Sequence, residues 1–138
     1  MNKKKVSDFL YEDLSYKIRG CIFRAYNILG FGHKEVVYQK ALAIELEKAG
    51  ISFEREKLLP IFYNNKKVGT YKPDFIIERK IIIELKAVDV MPKIYEKQLV
   101  NYLKGTNYKL GFLVNFGSSK IDIRRRINQR DYQRKSAK

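Results

Sequence analysis

The chain has 138 residues, 45% of them hydrophobic, and its 29 Lys and Arg outweigh 15 Asp and Glu to give a net charge of +14. That length suits one domain with its own core; no apolar run approaches the roughly 20 residues that cross a bilayer, and with no clear basic amphipathic helix to lie on an anionic membrane surface, no membrane partner is expected. The single cysteine, Cys21, excludes a disulfide framework and any multi-cysteine metal or iron–sulfur site.

The charge excess favours a polyanionic partner. The first residues are basic, but no long apolar segment follows them. No signal peptide is therefore expected, and a cytoplasmic location is.

A first helix is predicted over residues 6–29. Leu14, Ile18, Cys21, Ile22, Ala25, Ile28 and Leu29 recur at helical spacing, opposite Lys17, Arg19, Arg24 and Asn27. Gly30-Phe31-Gly32 then turns the chain. A second helix is predicted over residues 34–49, with Gly50 as its stop. Val37, Ala41, Ile44 and Ala49 share one of its sides; Glu35, Tyr38 and Leu42 share an adjacent one.

Residues 51–62 read as a strand made irregular by Pro60. Residues 63–67 form a turn, and 68–71 lead into a hairpin of two apolar strands, 75–77 and 81–87, joined by Glu78, Arg79 and Lys80. A helix over 93–104, strands over 109–116 and 120–127, and a polar, basic tail over 128–138 complete the chain. The order is two helices, three strands, a helix and two strands. That is α/β, with a sheet between helices and a parallel crossover linking the strands at 81–87 and 109–116. Residues 1–127 make the domain, and the tail stands outside it.

Three residues do not belong in the apolar hairpin: Asp74, Glu84 and Lys86. Side chains alternate across a strand, so Glu84 and Lys86 share a face with Ile82, and Asp74 opens the neighbouring strand within reach. Two carboxylates and an ammonium in an apolar sheet are costly unless they bind something. A hard divalent cation answers the carboxylates, and an anionic substrate answers the lysine. An ion-pair network without any ligand is the alternative reading.

Pro73-Asp74, nine intervening positions and Glu84-Leu85-Lys86 resemble the PD-(D/E)xK signature of the restriction-endonuclease-like nuclease superfamily. Gln98 and Tyr102, four apart on the next helix, resemble the extra Gln-x-x-x-Tyr motif of its recombination-exonuclease branch. Many members of that branch also carry a four-cysteine iron–sulfur cluster, which this chain cannot form. Gly32-His33-Lys34-Glu35-Val36-Val37-Tyr38 is similar to the motif of the GxxExxY proteins, a family of that superfamily. The likeness continues in order to Gly117 and covers roughly residues 14–127.

The resemblance implies a restriction-endonuclease-like core, a mixed central β-sheet flanked by helices. It implies hydrolysis of phosphodiester bonds in nucleic acid, with DNA as the expected form, using Mg²⁺ or Mn²⁺. Its catalytic set falls on Glu35, Asp74, Glu84, Lys86 and Gln98, and its metal ligands on Glu35, Asp74, Glu84 and the Leu85 carbonyl. Tyr38, Tyr102, Arg124, Arg125 and Arg126 are the expected substrate contacts. Oxygen ligands alone suit Mg²⁺ or Mn²⁺ better than zinc. Two other readings stay open, a nucleic-acid-binding module that does not cut and a protein-interaction subunit on the same fold. The oligomeric state is open too, a homodimer included.

Overall fold

Each face of a central sheet is covered by helices, and alternation along the strands decides which residue meets which layer. The structure, a computed structural model, describes residues 10–128. The element order is α1 (Glu12–Leu29), α2 (Glu35–Lys48), β1 (Phe53–Arg55), β2 (Leu59–Tyr63), β3 (Lys66–Tyr71), β4 (Phe75–Ile77), β5 (Ile81–Lys86), α3 (Lys93–Thr106), β6 (Leu110–Asn115) and β7 (Asp122–Ile127). The sheet runs β1-β4-β5-β6-β7, and β2 and β3 form a two-stranded sheet of their own. Among the described residues β5 and β6 pair parallel, and the β1–β4, β4–β5 and β6–β7 pairs are antiparallel. The sheet is therefore mixed, as expected. The expected start of the first helix at residue 6, and the basic tail past Asn128, lie outside the described residues.

Ile81, Ile83 and Leu85 point to one side and pack with Ile18, Cys21, Ile22 and Ala25 of α1 and with Tyr38, Leu42 and Leu46 of α2. Ile76, Ile82 and Leu113 point to the other side and meet Leu99 and Leu103 of α3 and Leu59 and Tyr71 of the small sheet. Strands buried on both faces explain the continuous apolar runs in β4, β5 and β6. α1 ends where Gly30 takes φ 69°, a left-handed conformation, and its N–H donates to Tyr26 O at 2.7 Å.

Two expectations are corrected. In α2 the buried side is that of Tyr38, Leu42 and Leu46, while Ile44 is left exposed. Apolar residues run almost all round this helix, so periodicity does not select a face and packing against α1 does. The strand expected over 51–62 is two strands, because Glu56 adopts φ 54° between them. β1 joins the main sheet and β2 turns away to pair with β3, which makes five strands between α2 and α3 instead of three.

Candidate active site

The hairpin β4–β5 brings Asp74 and Glu84 together through the backbone itself. Leu85 N–H donates to Asp74 Oδ2 at 2.7 Å, and Asp74 N–H donates to Glu84 Oε1 at 3.2 Å. Each carboxylate is thus clasped by the other's strand. Tyr71, the last residue of β3, donates its hydroxyl to Glu84 Oε1 at 2.7 Å. Gln39 of α2 donates from Nε2 to Asp74 Oδ1 at 3.2 Å. Glu35 lies one helical turn before Gln39, on the same side of α2, and feels the charges of Asp74 and Lys86.

The electrostatics follow from burial and like charge. Burial first, and then the Asp74 carboxylate, push Glu84 up to about 7. Burial likewise raises Asp74, although the Leu85 N–H and Lys86 pull it back. Glu35 is raised by burial and by Asp74. Burial and the adjacent Glu84 raise the Tyr71 hydroxyl, which stays a donor. Lys86 shares the face of Glu84, and its ammonium lies 4.4 Å from the ring centroid of Tyr95 in the first turn of α3. A cation over an aromatic face is held without being neutralised.

Glu35, Asp74, Glu84, Lys86 and the backbone of Leu85 therefore converge. Gln98 is exposed on α3, one turn before Tyr102. Tyr102 is half-buried and stacks on Tyr71, with ring centroids 3.8 Å apart and planes at 7°. Tyr38 is wholly buried. Its hydroxyl donates to Gly30 O at 2.6 Å and accepts from His33 N–H at 3.2 Å, and its ring stacks on Phe116. In place of a substrate contact it has the job of fixing the loop that presents Glu35.

Arg124 pairs with Glu96 of α3 at 3.0 Å and with Asp122 at 2.8 Å, and Arg126 also pairs with Glu96. These two arginines brace β7 against α3. Arg125, on the other face of the strand, stands opposite Phe112.

The sequence reading missed Gln39, Tyr71, Tyr95 and Asn115. Asn115 is buried, and its side chain accepts from Val88 N–H at 3.0 Å and donates to Val88 O at 2.9 Å, pinning the turn that follows Lys86. Gly117 is pressed against the same turn, where a Cβ would stand 2.2 Å from Val88 N. Gln39 alone had a legible signal, its spacing of four from Glu35.

Among the described residues no three His, Cys, Asp or Glu side chains form a ready-made metal cage. Two convergent carboxylates are instead a donor set that suits Mg²⁺, an ion that keeps several waters and takes its remaining oxygens from substrate phosphate.

An aspartate opening one hairpin strand, Glu-x-Lys on the next and a mixed sheet between helices define a PD-(D/E)XK site. The family model of the PD-(D/E)XK nuclease superfamily matches residues 12–127, and the chain belongs to that superfamily. No curated protein matches it. Among solved structures it is similar to SSO0001, known from a crystal structure, at 25% identity and a TM-score of 0.48. The match covers 83% of this chain but 58% of that one. Among the described residues no helix is long and apolar enough to cross a membrane.

Proposed function

We propose that this protein is a cytoplasmic nuclease that hydrolyses phosphodiester bonds of DNA with Mg²⁺ or Mn²⁺. The observation that carries the reading is the reciprocal clasp of Asp74 and Glu84, which holds two like charges side by side in a mostly buried place. A fold gains no stability from such a pair. A divalent cation makes both charges favourable at once.

Asp74 and Glu84 would hold the metal, with the Leu85 carbonyl as a further oxygen and Glu35 reaching it directly or through water. When bound, the ion neutralises phosphate oxygens and makes water nucleophilic. Lys86 brings a fixed positive charge to the phosphate as negative charge develops there. Tyr95 and the Asn115 latch hold Lys86 and its turn, and Tyr71 and Gln39 aim the carboxylates. Gln98 faces solvent and would meet water or substrate on binding. Tyr102 would line the path of the strand, whereas Arg124 and Arg126 are already paired with Glu96 and Arg125 stands on the other face of β7.

The test is incubation of the protein with Mg²⁺ or Mn²⁺ and a panel of end-labelled and circular DNA, alongside Lys86→Ala and EDTA controls. Metal-dependent degradation that Lys86→Ala abolishes is expected. Degradation that survives either control, or no degradation of any substrate, overturns the reading.

A further inference from the structure

We propose that the β2–β3 hairpin is an arm that enters the major groove of duplex DNA beside the cut phosphate; the choice of DNA as partner rests on the nuclease reading above. Residues 57–72 contain four lysines and no acidic residue. The base of the hairpin is anchored on α3: Ile61 packs at Gly105, and Tyr71 stacks on Tyr102. Its far end leaves the body, and every residue from 62 to 68 is exposed. Among them Phe62, Tyr63 and Val68 keep 53%, 68% and 64% of their surface in solvent.

The register decides what kind of partner this suits. Phe62 pairs with Lys67, and Tyr63 pairs with Lys66. Cross-strand partners share a face and neighbours along a strand do not. Each face of the ribbon therefore presents one aromatic ring and one lysine. A ribbon made to lie on a flat surface would concentrate them on one side. A single strand would want adjacent rings on one platform, which Phe62 and Tyr63 do not provide. Two like faces suit a cleft with two like walls. The major groove, about 12 Å wide and walled by phosphates, admits a two-stranded ribbon.

The turn is built for a stiff tip. Asn64 and Asn65 take φ 48° and 65°, the left-handed pair of a two-residue turn whose twist matches its strands. The base of the arm is the active site itself, through the Tyr71 hydroxyl on Glu84. The six residues of β3, at about 3.4 Å each, put the tip roughly 20 Å away. That reach spans about five or six base pairs at ~3.4 Å per step.

Two double variants of the full chain test this, Lys66→Ser with Lys67→Ser and Phe62→Ser with Tyr63→Ser. Binding is measured in EDTA by fluorescence anisotropy, over a range of salt, on a duplex two helical turns long and on each of its strands alone. Roughly tenfold weaker duplex binding is expected for each variant, with a much smaller change on single strands. The lysine variant should also flatten the slope of log K against log salt by about two. Equal losses on duplex and single strand, or no loss on either, overturn the proposal. Thermal melting checks the fold, and if the aromatic variant melts early the lysine variant decides.

Digestion with Mg²⁺ separates this idea from the nuclease reading. If the wild type cuts nothing while the variants lose duplex binding, the arm stands and the nuclease reading falls. If the wild type cuts and the variants bind duplex as it does, only the arm falls.

Discussion

The hydroxyl of Tyr71 donates to Glu84 Oε1 at 2.7 Å while the ring of Tyr71 lies flat on that of Tyr102. A carboxylate in β5 is thereby steered from β3, and β3 is steered from α3. A hydrogen bond to a charged group is worth about 1.5–3 kcal/mol. Tyr71→Phe keeps the stacked ring and removes only the donor. It should weaken Mn²⁺ binding in calorimetric titration by about tenfold, and lower the melting temperature by several °C through the lost bond alone. Unchanged metal affinity would show that Glu84 needs no aiming.

Glu84 predicts a pH dependence of unusual sign for a carboxylate. Its proton affinity in the folded chain is raised from 4.5 to about 7. Between those values the folded state holds a proton that the unfolded state has released. Stability therefore falls as pH rises through this window, by roughly 3 kcal/mol at most. Asp74, also raised, acts in the same direction. Metal-free protein should melt lower at pH 8 than at pH 5. Glu84→Gln, neutral throughout and still an acceptor for Tyr71 and the Asp74 amide, should lose much of that slope. A wild type and variant with parallel profiles would contradict the assignment.

Asp74→Asn separates charge from shape. The amide retains an oxygen to accept the Leu85 N–H, so that bond is not stranded. It removes one of two like charges, so the apo protein should melt no lower than wild type at pH 8. The heat of Mn²⁺ binding should disappear. Persistent binding would move the metal site elsewhere.

Behind Lys86, the turn at Val88 is held by Asn115 and overlain by Gly117. A Cβ at Gly117 would stand 2.2 Å from a backbone nitrogen, with no flexible side chain to yield. Gly117→Ala should cost about 1–3 kcal/mol or more by overpacking. Asn115→Ala, which leaves the part-buried N–H and C=O of Val88 without this partner, should cost about 1–3 kcal/mol. Urea denaturation measures both. A Gly117→Ala chain of wild-type stability would mean the turn has room to move.

Asp74, Glu84 and Lys86 were legible in the sequence because the information is local. Strand alternation and one short turn set their relation, and no distant residue is needed to see it. The mixed sheet between helices was legible for the same reason, since β4, β5 and β6 are continuous apolar runs with clear stops. Their supports were not legible. Gln39 reaches Asp74 across 35 residues, and Asn115 reaches Val88 across 27. Tyr71 reads from the sequence as one more strand aromatic until the turn from β3 to β4 brings it over Glu84. The motif at Tyr38 names a residue and not the direction of its ring; packing against Phe116 sends that ring inward. Nor could spacing show that residues 51–62 break at Glu56 and send β2 outward, since a left-handed residue outside glycine and asparagine leaves no mark in composition. The chemistry on one strand is written in its neighbours. Which side chains aim it is decided only when the sheet, α2 and α3 close around it.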